Sequence, residues 1–238
     1  MANLVIDIGY TALKAAWTDG ITLGKTLRYQ GERVSEFILS TIGKQRPDTL
    51  VICTVRELPA GAVQKMSEGC GKFILIDSEH TEILRDNSIP EYLTPDRAAS
   101  VLASQYLFKG KGCTIIDFGT ILTIDFLDEE GHYRGGNISL GCRTRFKGVN
   151  RYSRTLPLQD TPENIDDMGG SLPSSIDSGI ILGIKFEIEG YISRYPENIV
   201  IFTGGDAIYF AKRMKNSIFV VCNLVLMGLA LIAVRYGE

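Results

Sequence analysis

A segment used twice, 110 positions apart, constrains this chain more than any other feature. Near the start the sequence reads Leu4-Val5-Ile6-Asp7-Ile8-Gly9-Tyr10-Thr11, and later Thr114-Ile115-Ile116-Asp117-Phe118-Gly119-Thr120. Each copy is a short apolar run ending in Asp-x-Gly, followed by a second strand-like run and a turn: Asp19-Gly20 in the first copy, Asp128-Glu129-Glu130-Gly131 in the second. Each half is therefore expected to open with a β-hairpin whose bend carries an Asp and a Gly. Two such bends suit a polyphosphate and its cation, because glycine lets backbone N–H groups approach phosphate closely and a carboxylate is a hard oxygen donor.

The rest of the chain alternates strands and helices in both halves, which argues for an α/β fold with parallel pairing. In the first half, helices are expected near Val34 to Ile42 and Ala60 to Glu68. Strands are expected at Thr49 to Thr54 and Phe73 to Ile76, with a polar loop after the last. A strong helix follows from Arg97 to Phe108, where Ala99, Leu102, Ala103 and Tyr106 recur on one face. Gly110-Lys111-Gly112 then punctuates the chain, and the domain boundary is placed there: residues 1–112 and 113–238. In the second half, helices are expected from Cys142 to about Tyr152, from Ser174 to Ser193 and from Ala207 to Met214, with a buried strand at Ile199 to Phe202. Ile218 to Val234 contains one polar residue, Asn223, in 17 positions. This falls short of a membrane span and reads as a strand followed by a buried helix capped by Asn223.

Several function classes lose support. A net charge of −3 gives no electrostatic footprint for nucleic acid, and the basic cluster Arg143, Arg145, Lys147, Arg151 and Arg154 reads first as a solvated helix face, and second as a contact for an anionic substrate or another subunit. The five cysteines lack Cys-x-x-Cys spacing, as expected of buried, reduced thiols in the cytosol; the N-terminus runs straight into a strand, so no signal peptide is expected. Gly20 to Thr26 imitates a P-loop but is one residue short and lies between strand-like runs. The two histidines, His80 and His132, fall in loops or turns, which argues against a histidine-based nucleophile or a zinc site.

Four places carry chemistry. Asp7 and Asp117 stand in matching contexts, each before Gly. Lys14, seven residues after Asp7, lies on the returning strand, where it could neutralise phosphoryl charge. Thr94-Pro95-Asp96-Arg97 opens the strong helix with a cap residue, a proline at the first helical position and an acid in the first turn. The cation Arg97 near the positive end of that helix is unexplained by capping. An Asp-Arg pair there offers a carboxylate to take a proton from a hydroxyl and a guanidinium to bind a substrate carboxylate. Thr203-Gly204-Gly205-Asp206, between a buried strand and a helix, is either a nucleotide rest or a plain tight turn.

The order of these features resembles the type III pantothenate kinases, also called the Bvg accessory factor family, in versions from Bacteroidetes. Asp-x-Gly-x-Thr-x-x-Lys (Asp7 to Lys14), Asp96-Arg97, Asp-x-Gly-Thr (Asp117 to Thr120), Gly135-Gly136-Asn137-Ile138-Ser139 and Thr203-Gly204-Gly205-Asp206 carry the resemblance. It implies an actin-like, sugar-kinase-like and Hsp70-like ATPase fold of two duplicated α/β domains with a nucleotide cleft between them. It also implies transfer of the ATP γ-phosphate to the primary hydroxyl of pantothenate, the first step of coenzyme A synthesis, by a cytoplasmic homodimer using Mg²⁺ and a monovalent cation, potassium or ammonium. By resemblance, Asp96 is the proton acceptor, and Thr94, Pro95, Asp96 and Arg97 meet the substrate. Asp7, Ile8, Gly9, Tyr10, Thr11, Lys14, Gly119, Thr120, Gly204 and Gly205 bind ATP, and Asp117 holds the monovalent cation. The chain departs from the family pattern at Tyr10 (usually Asn), Asn87 (usually Tyr), Thr94-Pro95 (usually Gly-x) and Leu172 (usually Thr). These departures point to two alternatives: a kinase of the same fold for another small hydroxy acid, or a catalytically weak homologue with a regulatory or binding role.

Overall fold

The apolar opening run becomes the innermost strand of an antiparallel meander. In the computed structural model, which describes residues 2–237, its strands are β1 (Ala2–Ile8), β2 (Leu13–Asp19) and β3 (Thr22–Tyr29). The β2–β3 bend places Gly20 at φ 55°, a conformation that glycine adopts without a Cβ penalty. Lys25 and Thr26 lie inside β3, so the P-loop look-alike is strand. After α1 (Val34–Lys44), the chain enters β4 (Thr49–Thr54), buried at every residue and parallel to β1. A continuous apolar run is what a strand covered on both faces requires. Then come α2 (Ala60–Glu68), β5 (Lys72–Ile76, parallel to β4), a short α3 (Glu82–Asp86) and α4 (Pro95–Leu107). The sheet order is β3-β2-β1-β4-β5. Ile38, Ile42 and Met66 of α1 and α2 join Leu4, Ile6, Ile8, Leu50 and Ile52 in one core. The short helix α3 lies in the stretch expected to be a polar loop.

The second meander consists of β6 (Cys113–Phe118), β7 (Ile121–Leu127) and β8 (Tyr133–Leu140). It leads through α5 (Cys142–Tyr152) and α6 (Leu172–Arg194) to β9 (Ile199–Gly204), parallel to β6. After α7 (Ala207–Ala211) comes β10 (Ile218–Val220), parallel to β9. Read from β8, the order β8-β7-β6-β9-β10 repeats that of the first sheet; the duplication seen in the sequence is a duplication of topology. α6 starts two residues before the expected Ser174, because Ser171 and Ser174 form a reciprocal capping box with Pro173 in the first turn. Its Ile176, Ile180, Ile184, Ile188 and Ile192 recur every fourth residue and pack with Phe118, Phe126, Phe146, Phe202 and Phe210.

The apolar tail forms a buried helix, α8 (Leu224–Tyr236), but not in the expected domain. The chain divides into one unit of Met1–Leu107 with Asn223–Glu238 and another of Phe108–Cys222. α8 packs on α4, β1 and β4. The decisive residue is Gly228: a Cβ there would lie 2.0 Å from the Ala99 carbonyl oxygen of α4, so only glycine lets the two backbones meet. Asn223, expected to cap α8, makes no capping bond; its Nδ2 donates instead to Thr26 Oγ1 at 3.1 Å. At the other end, Asn87 Nδ2 donates to the Tyr236 hydroxyl at 2.9 Å, and Arg235 donates to Asn87 Oδ1. No helix among the described residues is long and apolar enough to cross a membrane. All five cysteines are free; four are buried, but Cys222 is exposed, against the expectation of five buried thiols.

Gly228→Ala tests the α4–α8 contact. Forcing a methyl into packed backbone is expected to cost about 1–3 kcal/mol in urea unfolding. Gly179→Ala on α6, where a Cβ meets nothing within 4 Å, is the control and is expected to be neutral or stabilising by a few tenths to about 1 kcal/mol. Equal effects of the two substitutions would remove Gly228 as the determinant of the contact.

Candidate active site

In the first unit, three elements converge on Asp7. The antiparallel register of β1 and β2 sets Asp7 directly opposite Lys14, and the parallel register of β1 and β4 sets it beside Cys53. The start of α4 supplies Asp96, close enough for its charge to act on Asp7. Burial, and then the Asp96 charge, push the Asp7 carboxyl up to about 7; a hydrogen bond from the Cys53 thiol and the charge of Lys14 act in the opposite direction. The Cys53 Sγ–Asp7 Oδ1 distance is 3.4 Å. Burial, Asp7 and Asp96 in turn raise the Cys53 thiol well above its ordinary value, so it stays protonated and remains a donor.

The bend after β1 is closed by the Gly9 N–H donating to Ala12 O at 3.0 Å. A Cβ on Gly9 would touch that oxygen at 3.4 Å. Tyr10 and Thr11 are exposed, Ile8 is buried, and the Tyr10 carbonyl accepts from the Arg56 guanidinium. At the start of α4, Thr94 is exposed and Pro95 buried, and Thr94 O accepts from the Ala98 N–H at 3.0 Å. Asp96 is half-buried, with Oδ1 accepting from the Arg97 N–H at 2.9 Å. Arg97 is 7 % exposed, an unusual burial for a guanidinium.

In the second unit, β6 and β9 run parallel with Asp117 beside Thr203 and Phe118 beside Gly204. Gly204 has φ 90°, and a Cβ on it would strike Asp117 Oδ1 at 2.4 Å and the Phe118 backbone at 2.6 Å. Glycine is therefore required for the turn to close onto Asp117. The Gly205 N–H donates to Phe118 O at 2.9 Å. The Gly119–Thr120 bend is clamped from α5: Thr144 Oγ1 donates to Thr120 O at 2.6 Å, and a Cβ on Gly141 would lie 2.0 Å from Gly119 O. Burial raises the Asp206 carboxyl.

Of the residues singled out in the sequence, Asp7, Ile8, Gly9, Tyr10, Thr11 and Lys14 share one hairpin, with Asp96 of the first turn of α4 close to Asp7; Thr94, Pro95 and Arg97 belong to the same helix start. Asp117, Gly119, Thr120, Gly204 and Gly205 gather at the β6 and β9 ends of the second unit. Sequence reasoning missed Cys53, Arg56, Thr144 and Gly141. Of the basic cluster, Arg143 pairs with Asp160, and Arg145 pairs with Glu187 and donates to Leu140 O at 2.8 Å. Arg145 is thereby tied between β8 and α6, whereas Arg143, Lys147, Arg151 and Arg154 are exposed, as expected of a solvated face.

Comparison with known proteins bears on the fold and on the family. Among solved structures, a Baf family protein from Campylobacter jejuni superposes with a TM-score of 0.67 at 19% identity, covering 98% of each chain. The activator of 2-hydroxyisocaproyl-CoA dehydratase from Clostridium difficile gives 0.59 at 15%, covering 100% of this chain and 96% of its own. ROK hexokinase from Thermus thermophilus gives 0.54 at 13%, covering 97% and 98%. These likenesses establish the actin-like, sugar-kinase-like fold. In sequence, the type III pantothenate kinase of Phocaeicola vulgatus is 36% identical over 95% of this chain and 96% of its own. That of Bacteroides fragilis is 34% identical over 95% of each. The family model described as type III pantothenate kinase matches residues 3–194. The duplicated hairpins, the Asp7–Asp96 cluster and these full-length similarities lead to one conclusion: the chain belongs to the type III pantothenate kinase family.

Proposed function

We propose that this chain transfers the γ-phosphate of ATP to the primary hydroxyl of pantothenate, giving 4′-phosphopantothenate, the first step of coenzyme A biosynthesis. The observation that carries the reading is the cluster of Asp96 with Asp7 and Lys14 where the central strand β1 ends and β2 begins, in a chain of this family. Phosphoryl transfer to an alcohol needs the acceptor hydroxyl oriented and its proton received, and the transferred charge offset. Asp96 takes the proton. Arg97, with the helix start at Thr94 and Pro95, binds the pantothenate carboxylate. Asp7, Ile8, Gly9, Tyr10, Thr11 and Lys14 bind the ATP phosphates, Lys14 supplying positive charge, and Gly119, Thr120, Gly204 and Gly205 complete nucleotide binding in the second unit.

Mg²⁺ accompanies the ATP phosphates, as it does where it keeps phosphate and water ligands. Asp117 would hold a monovalent cation. The donors there suit one, because the carboxylate and the neighbouring Phe118 carbonyl are hard oxygen ligands and Gly204 closes directly against them. Such an ion screens repulsion between phosphates. The same reading makes the enzyme a cytoplasmic homodimer.

One observation favours a second reading. Asn87, where the family usually carries a tyrosine, is tied to Tyr236, Arg235 and the Ile83 carbonyl. A side chain so occupied holds α3 to α8, which favours a different small hydroxy acid as acceptor. A coupled ADP-release assay with Mg²⁺ and potassium separates the two. Turnover is expected with pantothenate and to fall sharply when potassium or ammonium is replaced by sodium. Turnover with another hydroxy acid and none with pantothenate would move the assignment, and equal rates in sodium and potassium would remove the cation from Asp117.

A further inference from the structure

We propose that Cys53 is a positioning residue for Asp7: its thiol holds the carboxylate in the orientation that binds MgATP. The inference rests on the kinase reading above and adds a residue outside both sequence motifs. β4 is buried throughout, and an apolar side chain would satisfy position 53 as far as packing goes. The strand register makes it more than packing. Asp7 and Cys53 are direct partners across the parallel β1–β4 pair, and Sγ lies 3.4 Å from Asp7 Oδ1, within the range of a thiol donor.

Asp7 stands between two opposed charges: Asp96 repels it and Lys14 attracts it. A carboxylate in such a field rotates toward the cation unless one oxygen is pinned. Cys53 is 1 % exposed, so its hydrogen has no water to turn to. The two neighbouring carboxylates oppose its ionisation, so it keeps its proton and its donor role. A free buried cysteine behaves as a small hydrophobe with a weak donor, which fits a site requiring both. Fixing Oδ1 fixes the plane of the Asp7 carboxylate and thereby its other oxygen.

The test compares Cys53→Val, which keeps the bulk and removes the donor, with Cys53→Ser, which keeps a donor. Steady-state kinetics on the full chain are read beside MgATP affinity by calorimetry and beside thermal unfolding. Cys53→Val is expected to raise both KM and Kd for MgATP about 3–10-fold, the scale of one ordinary hydrogen bond and in keeping with a weak thiol donor, with kcat changed less. Cys53→Ser is expected to restore both constants to within about twofold of the parent. Unchanged MgATP constants in folded Cys53→Val would overturn the proposal. So would equal losses in the Ser and Val variants that track a lowered unfolding temperature, since that marks packing alone. Parental turnover with pantothenate reports on the kinase reading, while the Val–Ser contrast in MgATP binding reports on Cys53.

Discussion

Asp96→Asn is expected to lose about 10²–10⁴ in kcat for pantothenate phosphorylation, the usual scale for removal of a general acid–base group. The substitution is close to isosteric. Oδ1 still accepts from the Arg97 N–H, the bond that links it to the helix start, and Pro95 still sets the first turn. What disappears is the charge that, in the proposed mechanism, receives the hydroxyl proton. KM for MgATP is expected to change far less than kcat, because in the proposed arrangement Asp96 meets the acceptor and reaches the nucleotide only through its charge on Asp7. Steady-state kinetics on folded protein check this, and near-parental kcat would reduce Asp96 to a helix-start residue. A second effect follows from its place in the cluster. The Asp96 charge raises the Asp7 carboxyl, so Asp96→Asn also lowers Asp7 toward its ordinary range.

Asp7→Asn is expected to abolish detectable turnover at ordinary ATP concentrations and, at the same time, to stabilise the protein in a pH-dependent way. The Asp7 carboxyl sits at about 7 in the fold, against 3.8 for an unperturbed aspartate. Between those values the folded state retains a proton that the unfolded chain has released. The stability contributed by protonated Asp7 is fully present below about 3.8 and is lost as pH rises through about 7. Asparagine carries no such charge. The advantage of Asp7→Asn over the parent is therefore expected to be about 2–3 kcal/mol larger at pH 8 than at pH 5, at 1.36 kcal/mol per pKa unit. Urea unfolding of both proteins at the two pH values measures it, and a difference that does not change with pH would contradict it. The active arrangement would then be one that the fold tolerates at a cost.

The sequence disclosed the parts of this site that are local. An apolar run ending in Asp-x-Gly, then a second run and a turn, specifies a hairpin and the position of its carboxylate. Thr94-Pro95-Asp96 specifies a helix start. Both were legible because the determining residues are neighbours in the chain. Cys53 was not, because its meaning depends on the parallel register of β1 and β4, set by long-range packing. The partner of α8 was hidden for a related reason: a helix apolar on nearly all sides declares that it is buried but not against what. Gly228 held the answer, yet a lone glycine in such a helix reads the same whether another backbone approaches or not. The role of Arg145 was hidden because charge alone does not reveal a carboxylate, Glu187, brought near by folding.

The return of α8 to the first sheet orders events during synthesis. The first unit is interrupted, and the residues that complete it are translated only after the whole of Phe108–Cys222. The inserted unit is contiguous and is free to fold as it leaves the ribosome. The first sheet meanwhile waits with the α4 surface around Ala99 unroofed, an apolar face of the kind that chaperones recognise and that drives aggregation. A nonsense mutation just before Leu224 would thus spare the later-made unit and strand the earlier one.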